Sequence, residues 1–144
     1  MYITNIELLK KLNNAVTPQE WFDIVDDSDF PVSRYNKVFL LQMKNTKISW
    51  EEEKEISMQE ILKLRNLLKS FLKEYMADKP QWWKWIIIVC IYRTYIAEKP
   101  MHPLPVVGIQ TKEIKGKKVY FCPEKSDEKN SVCKYCVCKK LEKN

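Results

Sequence analysis

The chain has 144 residues, 45% apolar and 12% aromatic, enough to bury one core with at most a small appendage. Only two glycines occur, Gly108 and Gly116, so no GxGxxG or Walker-type phosphate loop exists and a nucleotide site of that kind is excluded. The formal charge of +6 is uneven: residues 1–100 carry 15 Lys/Arg against 14 Asp/Glu, whereas residues 101–144 carry ten against five.

Residues 4–14 place Ile6, Leu8, Leu9 and Leu12 on one stripe, a short amphipathic helix. Thr17-Pro18-Gln19-Glu20 then offers an N-cap, a proline at the first helical position and a capping-box glutamate. Trp21, Phe22 and Val25 are expected to face the core, and Asp26-Asp27-Ser28-Asp29 with Pro31 ends the segment. A third helix is expected from about Ser33 to Lys44 with Val38, Leu41 and neighbours inward. Ser57-Met58-Gln59-Glu60 repeats the capping signature, and Ile61, Leu64, Leu67, Leu68, Phe71, Leu72 and Tyr75 fit about five helical turns ending near Asp78. Pro80 opens a fifth helix to about Ala97. It is apolar nearly all round from Trp82 to Tyr95, as a buried central helix is. The aromatic cluster Trp82-Trp83-Lys84-Trp85 with Arg93 has the form of a base-stacking surface, but its place at the start of that helix assigns it to the core.

Helical character stops at Lys99-Pro100-Met101-His102-Pro103-Leu104-Pro105, because three prolines in six residues cannot propagate a helix. Val106 to Ile114 and Lys117 to Phe121 read as two strands of a hairpin with Gly116 in its turn. The longest apolar run, Trp85 to Tyr92, spans eight residues, and a membrane-crossing helix needs about 20. The N-terminus lacks a basic region followed by an apolar stretch, so no secretory leader is expected and the chain reads as cytoplasmic. Cysteines in that compartment bind metal or do redox chemistry more often than they form disulfides.

Four of the five cysteines, Cys122, Cys133, Cys136 and Cys138, fall within 17 residues, and the only histidine, His102, lies 20 residues upstream. Cys133-x2-Cys136 puts two thiolates on one turn, Cys122 supplies a third, and His102 or Cys138 a fourth. That set suits a tetrahedral Zn2+ site. Cys133-Lys134-Tyr135-Cys136 lacks the βαβ setting of a thioredoxin-like dithiol. Cys90, in the middle of the apolar helix, reads as a small core residue. No catalytic Ser-His-Asp or Cys-His set stands out, and pairs such as Asp26-Asp27 or Glu52-Glu53 have no identifiable partner.

The strings Tyr92-x2-Tyr95, Lys99-Pro100-x-His102-Pro103, Gly116, Tyr120-x-Cys122-Pro123-x-Lys125 and Cys133-x-Tyr135-Cys136-Val137 resemble an uncharacterised archaeal family, domain of unknown function 2115, found largely in methanogens. The resemblance covers roughly residues 70–140 and implies a cytoplasmic archaeal protein with His102, Cys122, Cys133 and Cys136 as its marked positions. The chain departs from the family pattern in having a single glycine, Gly108, after the His-Pro segment, and in having Cys138 where a small residue is usual.

The expected fold is mainly α: about five helices over residues 1–98, then a β-hairpin and Cys/His metal knuckle over residues 99–144. The expected function is a structural zinc site at His102, Cys122, Cys133 and Cys136 that ties the C-terminal module to the helices. The basic tail would serve nucleic acid or an acidic protein. Two other readings stay open: a metal-dependent enzyme with an open coordination position, and an iron–sulfur cluster on Cys122, Cys133, Cys136 and Cys138.

Overall fold

The computed structural model describes residues 1–102, 107–128 and 131–141. Five helices and five short strands occur among them. The chain begins with a strand that sequence periodicity does not reveal. β1 (Tyr2–Thr4) pairs antiparallel with β2 (Glu55–Ser57), Ile3 opposite Ile56, and both isoleucines are buried. Each strand ends in a residue that caps a helix. The Thr4 hydroxyl accepts from the Glu7 N–H at 3.1 Å to start α1 (Asn5–Asn14). The Ser57 hydroxyl accepts from the Glu60 N–H at 3.4 Å to start α4 (Met58–Tyr75). One ribbon therefore launches two helices, and buried Asn5 clips it. The Asn5 carbonyl accepts from the Lys54 N–H at 3.0 Å, and its amide donates to the Glu52 carbonyl at 3.1 Å.

α2 (Pro18–Asp26) has the full capping box: the Thr17 hydroxyl accepts the Glu20 N–H at 3.1 Å and the Glu20 carboxylate accepts the Thr17 N–H at 2.9 Å. Its buried face differs from the expected one. Ile24 is fully buried, whereas Phe22 is 61% exposed and Val25 52% exposed; Trp21 alone of the expected trio packs on the core. α3 (Arg34–Asn45), capped by Ser33, departs from expectation at Val38, which is exposed; Leu41 is half-buried and its neighbours Phe39, Leu40 and Met43 are buried. In both cases consecutive apolar residues offer two candidate faces, and tertiary contacts choose between them. On α3 the inward face packs Phe39, Leu40 and Met43 into the shared core, with the Arg93 guanidinium 4.0 Å over the Phe39 ring.

α4 buries Leu64, Leu68 and Leu72, the i, i+4 stripe. Phe71 and Tyr75, expected in that face, stack on each other at 4.7 Å but stay substantially exposed. The expected fifth helix is a composite. A 3-10 turn (Pro80–Trp82) leads into α5 (Trp83–Ile91), and a π turn (Tyr92–Ile96) follows. Trp85, Ile88, Val89, Ile91 and Tyr92 are buried, so the segment is the central element. No helix of the described residues is long and apolar enough to cross a membrane.

β3 (Gln110–Ile114) and β4 (Lys117–Cys122) form the hairpin, and the first strand is shorter than expected. Val106, part of that expectation, and Pro103–Pro105 lie outside the described residues. The two-residue turn has Lys115 at φ 53° and Gly116 at φ 78°. Positive φ at both positions is the requirement of a type I′ turn, whose twist matches the strands. A third strand, β5 (Lys139–Lys140), adds parallel to β4, Phe121 beside Lys139 and Cys122 beside Lys140. The module rests on the helical core through buried Met101 and through Val132, Tyr135 and Cys136.

Candidate metal centre

Three local devices place the four C-terminal cysteines. Cys122 ends β4 and is buried. Cys133 and Cys136 sit on a 3-10 turn (Val132–Tyr135) that Ser131 caps by accepting the Cys133 N–H at 3.2 Å. The Cys136 N–H closes the turn onto the Cys133 carbonyl, also at 3.2 Å. Cys138 precedes β5 and is buried. The backbone around Cys122 ties these pieces together: its carbonyl accepts from the N–H groups of Leu141 at 3.0 Å and Lys125 at 3.4 Å. Lys125 then spans the loop, its ammonium donating to the Cys136 carbonyl at 3.3 Å and to the Cys138 carbonyl.

All five expected donors, His102, Cys122, Cys133, Cys136 and Cys138, line a single cavity of about 30 Å³. His102 is exposed, at the rim. The cavity has room for one water-sized occupant. The donor atoms are not drawn together in it: among the described residues no three His, Cys, Asp or Glu side chains form a group that could hold a metal ion. Every cysteine is a free thiol. The neighbouring Cys138 thiol, outweighing burial, holds Cys136 well below the usual thiol range, and Cys136 together with burial pushes Cys138 up.

The surroundings include groups to which sequence reading gave no site role. Cys90 lies close enough to Cys136 to sense its charge, and burial foremost pushes the Cys90 thiol up to about 12. Burial likewise raises the Tyr95 phenol to about 12, with Glu60 and Tyr135 adding to the effect. Arg93 is buried near Cys136 and Cys138, and burial lowers its pKa from the ordinary value. Lys125 stands in the family-like string quoted above, but nothing in its spacing from the cysteines signals that it bridges them. Its role depends on the turn that follows Cys122.

The family model described as "uncharacterized protein conserved in archaea" (DUF2115) matches residues 26–141. The chain belongs to that family. A UPF0305 protein of Methanocaldococcus jannaschii is 34% identical over 95 residues, 63% of this chain and 57% of the relative. A UPF0305 protein of Methanococcus maripaludis is 31% identical over 107 residues, 71% of this chain and 64% of the relative. The chain thus spans about three fifths of the length of these curated relatives. No solved structure matches it. The matched range contains every candidate donor, from His102 to Cys138.

Proposed function

We propose that this member of the archaeal family binds one Zn2+ at the C-terminal cavity, through Cys122, Cys133 and Cys136 with His102 or Cys138 as the fourth ligand, and that the ion is structural. The observation that carries the reading is that five donors supplied by three separated stretches of chain line one cavity of about 30 Å³. Zinc favours thiolate and imidazole ligands in a tetrahedral set, and four protein ligands leave no open position for a substrate water. The basic surface of the hairpin would then be held rigid to meet a partner, nucleic acid or an acidic protein.

Elemental analysis of anaerobically purified protein tests the reading, with about one zinc per chain expected. Cys122→Ser, Cys133→Ser and Cys136→Ser should each strongly reduce metal content, and comparing His102→Ala with Cys138→Ser identifies the fourth ligand. Absence of zinc would refute the proposal. A second reading has its own support, because Cys138 is buried while His102 is exposed. Four thiolates around one cavity also match the ligand set of an iron–sulfur cluster. Brown colour with iron and labile sulfide would establish that alternative in place of zinc.

A further inference from the structure

The π turn at Tyr92–Ile96 gathers several unusual features. The Ala97 N–H reaches back five residues to the Tyr92 carbonyl at 2.9 Å, and such turns recur at functional sites. Arg93, within the turn, is buried. Its Nε donates to the Pro100 carbonyl at 2.8 Å, and among the described residues no carboxylate pairs with it. Thr94 is only 8% exposed and its hydroxyl has no hydrogen-bond partner. Two residues beyond the turn, Glu98 takes a left-handed conformation at φ 52°, uncommon for a residue with a side chain.

These features border a pocket of about 380 Å³ between the turn and the β3–β4–β5 sheet. Thr94, Glu98, Lys118, Tyr120, Val137 and Lys139 wall it. Lys118 and Lys139 have no carboxylate partner among the described residues, whereas the carboxylate of Glu98 is engaged by Lys54. Arg93 is buried and senses Tyr120. Two lysines outnumber the one carboxylate in the lining, with Glu113 opposite Lys118 across the β3–β4 pair; Tyr120 offers a hydroxyl, and the Thr94 hydroxyl is buried beneath the wall.

We propose that this pocket binds the phosphate group of a small phosphate monoester, held by the Lys118 and Lys139 ammonium groups and by the Tyr120 and Thr94 hydroxyls. A monoester approaches two negative charges at neutral pH, which two ammonium groups match. A backbone phosphodiester carries one, and Glu98 in the wall disfavours a continuous polyanion. Threonine in a helix has two accessible χ1 wells, so the unpartnered Thr94 hydroxyl can swing from beneath the wall to the ligand. Val119 and Val137 supply apolar surface beside the phosphate. The site is distinct from the cysteine cavity, although Val137 and Lys139 flank Cys138 and place the two back to back.

The test is NMR titration of the 144-residue chain as purified, at constant ionic strength. The probes are inorganic phosphate, glycerol phosphate and a single-stranded RNA with a 5′-hydroxyl end. Saturable shifts of the Thr94, Tyr120, Val137 and Lys139 amides are expected with both small phosphates. Lys118→Met and Lys139→Met, at exposed positions, should each weaken glycerol phosphate binding roughly tenfold. Thr94→Val should weaken it several-fold while leaving the melting temperature unchanged or higher, because it deletes a buried unpaired hydroxyl. Shifts reproduced by chloride, no loss in the lysine variants, or destabilisation by Thr94→Val without loss of affinity would each overturn the proposal. RNA saturating the same amides more tightly than glycerol phosphate would also overturn it, in favour of backbone binding.

Discussion

If the C-terminal cavity holds the proposed structural ion, removing that ion should loosen one part of the molecule and spare the rest. In the described part of residues 99–141 the buried side chains are few, Pro100, Met101, Cys122 and Cys138, and β3 is exposed along its whole length. The helices, by contrast, share a continuous core that includes Leu40, Leu64 and Val89. A ligand present at about a thousand times its dissociation constant stabilises the form that binds it by roughly 4 kcal/mol. At about 1.4 kcal/mol per decade, chelation should therefore lower hydrogen-exchange protection in the module by roughly three decades. The amides to watch are Leu141, which donates to the Cys122 carbonyl, and Cys136, which donates to the Cys133 carbonyl. The interior amides of α4 and α5 serve as the internal control. Mass-resolved exchange with and without chelator gives the answer. Equal loss in α4 would mean the ion holds the entire fold, and no change at Leu141 or Cys136 would refute a structural site.

Other consequences are local. Leu40→Ala should cost about 2–5 kcal/mol in urea unfolding, whereas Val38→Ala, two positions earlier on the exposed face of α3, should stay within about 0.5 kcal/mol; similar losses would mean that α3 faces the other way. Asn5→Ala should cost about 1–3 kcal/mol by stranding the Lys54 N–H and the Glu52 carbonyl, and a neutral result would deny the clip its role. Glu20 is raised by burial but lowered more by the Thr17 N–H and Lys84, so its folded-state pKa lies below the ordinary 4.5. Its stabilisation is present above that value and fades as pH falls through the lowered pKa. Acid unfolding of Glu20→Gln should lack that share of the pH dependence, while Thr17→Ala should cost about 1 kcal/mol at neutral pH. Identical acid profiles for Glu20→Gln and the parent would refute the first claim.

Helix starts were the most legible part of this chain, because caps are written in a few adjacent residues. Thr17, Ser33 and Ser57 all cap the helices that their positions announce. Helix faces were less legible. Val38-Phe39-Leu40-Leu41 is apolar at four successive positions, so periodicity alone cannot select the inward pair; packing against distant elements does. The β1–β2 ribbon was hidden because three-residue strands are too short to show alternation, and their pairing joins residues more than 50 positions apart. The π turn was invisible for a related reason: Tyr92 to Ile96 has the composition of an ordinary helix end, and the wider turn registers only in the backbone. The gathering of His102 and four cysteines around one cavity was foreseeable from spacing. Lys125 and Cys90 as their neighbours were not, since those contacts depend on how β4 meets α5 and the loop.

The parallel pairing of β4 with β5 also bears on the order of events as the chain folds. A parallel neighbour cannot follow by a tight turn, so the stretch from Pro123 to Cys138 has to swing out and return before Lys139 reaches Phe121. Its only described helical segment is a single 3-10 turn, so little local structure guides the return. Cys122 lies on the near side of that excursion and Cys133, Cys136 and Cys138 on the far side, so docking the last strand and assembling the cysteine cavity are one event. During synthesis the five helices emerge first, and an ion available at that moment would set the pace at which the final strand joins. A scarcity of metal would then be felt as slow maturation of an already helical chain, with β3–β4 waiting as an unfinished sheet edge.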